Sequence, residues 1–187
     1  STPSAVAWSP DGNLIAVAHW RGEVEVYRTT DWLHQGTLVG HDGFVGAVAW
    51  SDHGQLLATA GSDSMVRLWD VGAQQEIGKL VGHVGTVWSV ALLPDNRRVI
   101  TAGKDRTVRM WDVASEEQVL QVSQVARGLA TAATSPDGKR IAIAGGRGLE
   151  ILDAGRGYRL ASSREYAADR AQANFQRGIE FAESKRF

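Results

Sequence analysis

A turn-forming segment recurs every 42 residues in this chain, and this period constrains the fold more than any other feature. Such a period indicates one supersecondary unit copied several times, because each copy cannot bury its apolar face alone. A second landmark, at Tyr27, Trp69 and Trp111, keeps the same spacing and shifts by one residue only in the fourth copy, where Leu152 takes its place. The sequence therefore predicts an array of four units. The repeated turn segments are Trp8–Gly12, Trp50–Gly54, Leu92–Asn96 and Thr134–Gly138.

Each copy is expected to form four short strands. In the second copy, apolar-rich runs that begin at Phe44, Leu56, Met65 and Glu76 are separated by segments rich in Gly, Asp, Ser and Gln. Units of about 40 to 45 residues with four strands are typical of β-propeller blades, which are sheets stacked face to face around an axis. The third strand alternates apolar and charged residues, which predicts that its charged residues share one outward side. These are Glu25, Arg67, Arg109 and Glu150.

Two pairs of dipeptides resemble the signature of the WD-repeat β-propeller family. Gly-His stands at 40–41 and 82–83, and Trp-Asp stands at 69–70 and 111–112. The resemblance covers residues 4–163 and implies an all-β fold of four four-stranded antiparallel blades. The expected blades span about 4–39, 45–81, 87–123 and 128–163.

The outer copies depart from the family pattern. Tyr27 replaces Trp in the first copy, and Val125 and Leu152 stand at the His and Trp positions of the fourth. The outer blades are therefore expected to have weaker internal hydrogen bonding.

A set of polar residues occurs twice at identical offsets. A hydroxyl, an imidazole and a carboxylate are the parts of a nucleophile, base and orienting group, so a catalytic role has to be weighed. A single active site does not need two copies, and each set ends on a strand-borne Trp. The resemblance implies instead a buried network that ties the loop before a blade to its second and third strands, and we predict no catalytic residue. The two sets are His41, Thr59, Asp63 and Trp69, and His83, Thr101, Asp105 and Trp111.

Composition excludes several kinds of site. The absence of Cys excludes disulfides and Cys-bound zinc, and it is compatible with the cytoplasmic location that we expect. His19, His34 and His53 share no metal-ligand spacing and are expected in turns or facing solvent, so we predict neither a metal nor a cofactor.

The net charge of −1 and the lack of a basic stripe argue against a specific nucleic-acid partner. No apolar run is long enough to span a bilayer. The excess of Arg over Lys, 16 to 4, favours a bacterial source.

The resemblance also implies that protein partners dock on the rim formed by the blade loops. The candidates are residues that break the repeat, since aromatic and Arg side chains are the usual interface anchors. Packing within the blades explains each of them equally well, and the sequence leaves this choice open. The candidate partner-binding residues are Trp20, Arg21, Phe44, Ser62, Trp88 and Lys104.

The two ends favour a piece of a larger multidomain protein. The sequence opens inside the expected inner strand of a blade, and four blades alone form an arc. Either further blades belong to the same protein, or two copies associate into an eight-blade ring through the exposed terminal blades.

Residues 164–187 change character and predict an amphipathic helix. Ala167, Ala171, Phe175 and Ile179 recur at helical spacing. Residues 173–187 resemble the opening helix of a tetratricopeptide unit, and the alternative is a helix that caps the last blade.

Together these features predict a non-enzymatic scaffold or sensing platform for protein–protein interaction. The alternative is a regulatory segment of a multidomain enzyme, such as a protease, kinase or nucleotidase, whose catalytic domain lies outside these residues.

Overall fold

A computed structural model of the chain describes residues 1–123, 131–145, 148–153 and 159–162. Within these ranges the chain forms four antiparallel sheets of four strands, which confirms the predicted all-β architecture. Blade 1 comprises β1 (Pro3–Trp8), β2 (Leu14–His19), β3 (Glu23–Arg28) and β4 (His34–Val39). Blade 2 comprises β5 (Val45–Trp50), β6 (Leu56–Gly61), β7 (Met65–Asp70) and β8 (Gln75–Val81). Blade 3 comprises β9 (Val87–Leu92), β10 (Arg98–Gly103), β11 (Thr107–Asp112) and β12 (Gln118–Ser123). Blade 4 comprises β13 (Thr131–Thr134), β14 (Arg140–Gly145), β15 (Gly148–Asp153) and β16 (Arg159–Ser162).

Each sheet is a meander in which consecutive strands pair. The first strands of the blades, β1, β5, β9 and β13, contact one another in series and form the inner side of the arc. The last strand of each blade is the outer edge of its sheet. The loops between blades and the turns between second and third strands therefore meet on one rim.

The repeated turn segment joins the first and second strands of each blade. Its last residue has a positive φ in every copy: 72° at Gly12, 67° at Gly54, 55° at Asn96 and 65° at Gly138. Gly and Asn are the residues that accept this left-handed conformation most readily. The backbone N–H of each donates to the carbonyl three residues earlier, as in Gly12 to Ser9 at 2.9 Å. This turn explains why the segment recurs in the sequence.

The apolar core lies between consecutive blades. Three buried clusters join blade 1 to 2, blade 2 to 3, and blade 3 to 4. Trp69 of blade 2 belongs to the cluster shared with blade 1, and Trp111 of blade 3 belongs to the cluster shared with blade 2. The landmark aromatic residue of these two copies therefore packs against the preceding blade.

The charged residues of the third strands do not all face outward as the alternation predicts. Arg67 is only 8% exposed, and its guanidinium pairs with Glu76 and lies 3.7 Å from Asp63. Arg109 is half-buried and lies 3.3 Å from Asp105. The alternation assumed one solvated face, whereas both faces of a stacked blade are covered.

The predicted helix at 164–187 lies outside the described residues. In the part that is described, no helix is long and apolar enough to cross a membrane.

Candidate functional site

The structure brings the first polar set together inside blade 2. The indole N–H of Trp69 donates to Thr59 Oγ1 at 2.8 Å, and Thr59 Oγ1 lies 2.8 Å from His41 Nε2. His41 Nδ1 lies 2.9 Å from Asp63 Oδ2. Since a carboxylate only accepts, Nδ1 carries the proton and Nε2 accepts from the Thr59 hydroxyl. The result is one directed chain of hydrogen bonds from Trp69 to Asp63.

The second set repeats this chain in blade 3. Trp111 Nε1 donates to Thr101 Oγ1 at 2.9 Å, Thr101 Oγ1 lies 2.7 Å from His83 Nε2, and His83 Nδ1 lies 3.0 Å from Asp105 Oδ2. We refer to the two sets as the tetrads.

Burial and hydrogen bonding shift the pKa values of the second tetrad. Burial lowers the pKa of His83, although Asp105 acts in the opposite direction, so the imidazole is neutral near pH 7. Burial opposes ionisation of Asp105, but donors from Val84 and Thr107, together with His83, lower its pKa to about 2. The carboxylate is therefore ionised across the physiological range.

Small residues make room for both tetrads. A Cβ added at Gly61 would lie 2.7 Å from His41 Nδ1, and one added at Gly103 would lie 2.5 Å from His83 Nδ1. A Cβ at Gly40 would lie 3.0 Å from the Trp69 ring. The Gly of the Gly-His dipeptide is needed because the Trp ring packs directly on its backbone.

The tetrads are closed to a substrate. Thr59 and Thr101 are fully buried, and each hydroxyl is already engaged by a Trp and a His. A catalytic nucleophile needs a free path to a reacting atom within about 3.5 Å. The arrangement holds a loop against two strands, and it leaves no position for a reacting group.

Blade 1 contains a different buried network that the repeat comparison missed. The sequence predicts His19 in a turn or facing solvent, but the structure shows it buried. Its Nε2 lies 2.8 Å from Glu25 Oε2. The Tyr27 hydroxyl donates to the same oxygen at 3.0 Å and, with His19, lowers the pKa of Glu25 against the opposing effect of burial. The strand register explains this network, because Val17 of β2 pairs with Glu25 of β3, which places His19, Glu25 and Tyr27 on the same face of the sheet.

On the rim, three of the candidate partner-binding residues form one continuous aromatic row. The ring centroids of Trp20 and Phe44 are 4.8 Å apart, and those of Phe44 and Trp88 are 5.6 Å apart. Trp20 comes from blade 1, Phe44 precedes the inner strand of blade 2, and Trp88 lies on the inner strand of blade 3. We call these three residues the aromatic row.

Backbone hydrogen bonds place the row. In blades 1 to 3, the residue after the second strand donates its N–H to the segment that enters the inner strand. The bonds run from Trp20 to Thr2 at 3.0 Å, from Ser62 to Phe44 at 2.9 Å, and from Lys104 to Thr86 at 2.7 Å. Gly46 leaves space for the Phe44 ring, which would lie 3.2 Å from an added Cβ.

The other three candidates surround the row. Arg21 follows Trp20 in the same exposed turn, and Lys104 is exposed directly after the end of strand β10. Ser62 is half-buried against Gly43, where an added Cβ would lie 2.3 Å from its hydroxyl oxygen. Ser62 therefore supports the rim backbone more than it offers a contact surface.

The comparisons with known proteins agree with this geometry. A sequence model described as WD domain, G-beta repeat matches residues 32–70 and 74–112. Residues 32–112 carry two WD40 repeats. Both tetrads lie inside these two matched WD40 repeats, whereas the network of His19 precedes them. No curated protein matches the sequence.

A solved structure is similar to this chain in fold. It is described as the crystal structure of RRP9 WD40 repeats, with a TM-score of 0.77 and 18% sequence identity. The match covers 86% of this chain and 50% of that chain, so the present chain spans about half the length of that structure. At this identity the likeness shows the fold alone.

The remaining histidines lie on the surface of the WD40 repeats. His34 is exposed at the start of β4, and His53 is exposed in the turn that follows β5. Among the described residues, no group of three or more His, Asp or Glu side chains could hold a metal ion.

Proposed function

We propose that the chain is a non-enzymatic scaffold that binds a protein partner across the aromatic row. WD40 folds serve as interaction scaffolds in general, and the particular surface is inferred from this chain. The observation that carries the proposal is the contact between Trp20, Phe44 and Trp88, which joins three blades on one rim.

The exposure of the row supports a binding role over a packing role. Trp20 is 57% exposed although its ring contacts Phe44. Trp88 stands where blade 2 has Gly46, so the fold tolerates a residue without a side chain at that position. Large aromatic rings that the fold does not need, clustered and partly in water, are typical anchors of protein interfaces.

The charges around the row favour a protein surface as the ligand. Arg21 and Lys104 are exposed on the same rim, and the exposed Asp42 lies in the loop that precedes Phe44. This mixture lacks the continuous basic stripe that phosphate backbones require. A partner with apolar side chains at its centre and charged groups of both signs at its edge fits this pattern.

Capture of partners by the immobilised chain tests the proposal. The double variant Trp88→Ala, Lys104→Glu is expected to reduce capture of a specific partner at least tenfold, because removal of an aromatic anchor commonly costs about 2 kcal/mol or more. The matched control is Ile77→Ala, Lys79→Glu on β8, which also removes one exposed apolar group and reverses one charge.

Each variant is first checked by thermal unfolding, so that loss of fold is not read as loss of binding. Undiminished capture of every partner by the Trp88 variant would place the interface on another face. Equal losses in both double variants would show that capture does not depend on the aromatic row.

A further inference from the structure

Blades 1 and 2 contact each other through the side chain of Trp50. The indole N–H of Trp50, at the end of the inner strand of blade 2, donates to the backbone carbonyl of Ala7 in blade 1 at 3.0 Å. The Trp50 ring packs against the apolar cluster that contains Ala16 and Val26, and Leu14 packs against the same cluster. Trp50 therefore packs against the preceding blade and donates a hydrogen bond to it.

Blade 1 carries an equivalent Trp at position 8, and no blade in the described part of the chain packs against it. Trp8 stands one period before Trp50 and is 56% exposed. Val6 stands one period before Val48, which packs against the core, yet Val6 is 60% exposed. Both residues lie on β1, so this side of blade 1 carries an apolar surface with an indole donor.

Trp32 adds a second element to this surface. The equivalent residues in blades 2 and 3 are Gln74 and Glu116, which also have a positive φ. Their side chains contact the outer strand of the preceding blade. Gln74 donates to the Gln35 carbonyl at 2.6 Å, and Glu116 accepts from the Lys79 N–H at 3.2 Å. Trp32 has the same conformation, with a φ of 58°, and is 63% exposed.

Blade 4 has a cavity on the face that points away from blade 3, and we call this cavity the socket. An open cavity of about 230 Å³ is lined by Ala133, Thr134, Ser135, Arg140, Ala142 and Ile151. Ala133 stands three periods after Ala7, which accepts the hydrogen bond from Trp50. Arg140 and Ala142 stand three periods after Leu14 and Ala16, which lie in or against the cluster on which Trp50 packs. Ile151 corresponds to Val26 once the one-residue shift of the fourth copy is included. In the described residues nothing fills this cavity.

We propose that blade 1 of one copy docks on blade 4 of a second copy of this chain, with the Trp8 indole donating to the Ala133 carbonyl. The interface continues the contact already made between blades 1 and 2 inside the chain. Because the two surfaces differ, two copies form two identical head-to-tail contacts and close on each other.

Sedimentation of the purified 187-residue chain across the micromolar range tests the proposal. The wild type is expected to sediment at twice the monomer mass. Trp8→Ala is expected to weaken association at least tenfold, in line with the loss of a central aromatic anchor. Trp20→Ala is the matched control, because Trp20 is equally exposed but lies on the rim. Trp8 is exposed in the single chain, so its variant is expected to keep the wild-type unfolding temperature at concentrations where both proteins are monomeric.

A mixing experiment separates head-to-tail contact from other dimers. Ala142→Arg blocks the socket and is expected to be monomeric, as is Trp8→Ala. Tagged Ala142→Arg is expected to capture Trp8→Ala, because one intact blade 1 meets one intact blade 4, but not to capture untagged Ala142→Arg. A wild-type monomer at all concentrations would overturn the proposal, and so would a dimer that neither variant weakens or a failure of the two variants to pair.

Discussion

Replacement of Trp111 by Ala is expected to lower the free energy of unfolding by about 3–5 kcal/mol. Trp111 is 2% exposed and fills the apolar cluster between blades 2 and 3. Its indole also donates to Thr101 Oγ1, so the substitution creates a cavity and removes one member of a tetrad. The measurement is urea denaturation followed by far-ultraviolet circular dichroism.

Trp20→Ala is the control for this loss. Trp20 is the same residue type on the rim, 57% exposed, and it belongs to neither a tetrad nor a core cluster. Its replacement is expected to change the free energy of unfolding by less than about 1 kcal/mol. Similar losses in the two variants would contradict the distinction between the buried and the rim Trp residues.

Asp105→Ala is expected to cost about 1–3 kcal/mol at neutral pH, because it leaves buried donors without an acceptor. The carboxylate accepts from the Val84 N–H at 3.1 Å, from the Thr107 hydroxyl at 2.8 Å, and from His83. These donors fix the loop before blade 3 against the turn between β10 and β11. Chemical denaturation of wild type and variant at pH 7 measures the difference.

The difference between wild type and Asp105→Ala is expected to shrink in acid. The pKa of Asp105 falls from 3.8 to about 2 on folding, so its stabilisation is complete above pH 4 and is lost as the pH falls toward 2. A stability difference that stays constant down to pH 2 would contradict this role. Unchanged stability with loss of a hydrolytic activity would instead support a catalytic tetrad.

His83 adds a separate acid effect in the wild type. Burial lowers its pKa below the ordinary value of 6.5, so the unfolded chain takes up this proton first as the pH falls. The stability contributed by neutral His83 is therefore present above pH 6.5 and declines below it.

The blades could be predicted because two independent features share one period. The turn at Gly12 and its copies requires a particular backbone conformation, and the aromatic residue at Trp69 and Trp111 fills a gap between sheets. Both constraints act on single residue types, so they remain visible in the sequence.

Other features depend on contacts that the period does not record. The network of His19, Glu25 and Tyr27 uses positions that differ from the tetrads, and only strand register reveals it. The burial of Arg67 follows from the blade face and the carboxylates that cover it.

The aromatic row shows the same limit at the candidate site. Trp20, Phe44 and Trp88 could be selected one by one because each breaks the repeat. Their contact depends on how a turn, a loop and a strand from three blades meet on the rim. A comparison of copies in sequence aligns equivalent positions, and these three positions are not equivalent.

Hydrogen–deuterium exchange of the chain with and without a captured partner tests the proposed interface most directly. Binding across the aromatic row predicts slower exchange in the segments around Trp20, Phe44 and Trp88, with the outer strands β4, β8 and β12 unchanged. Protection confined to those outer strands, with no change around the three aromatic residues, would contradict it.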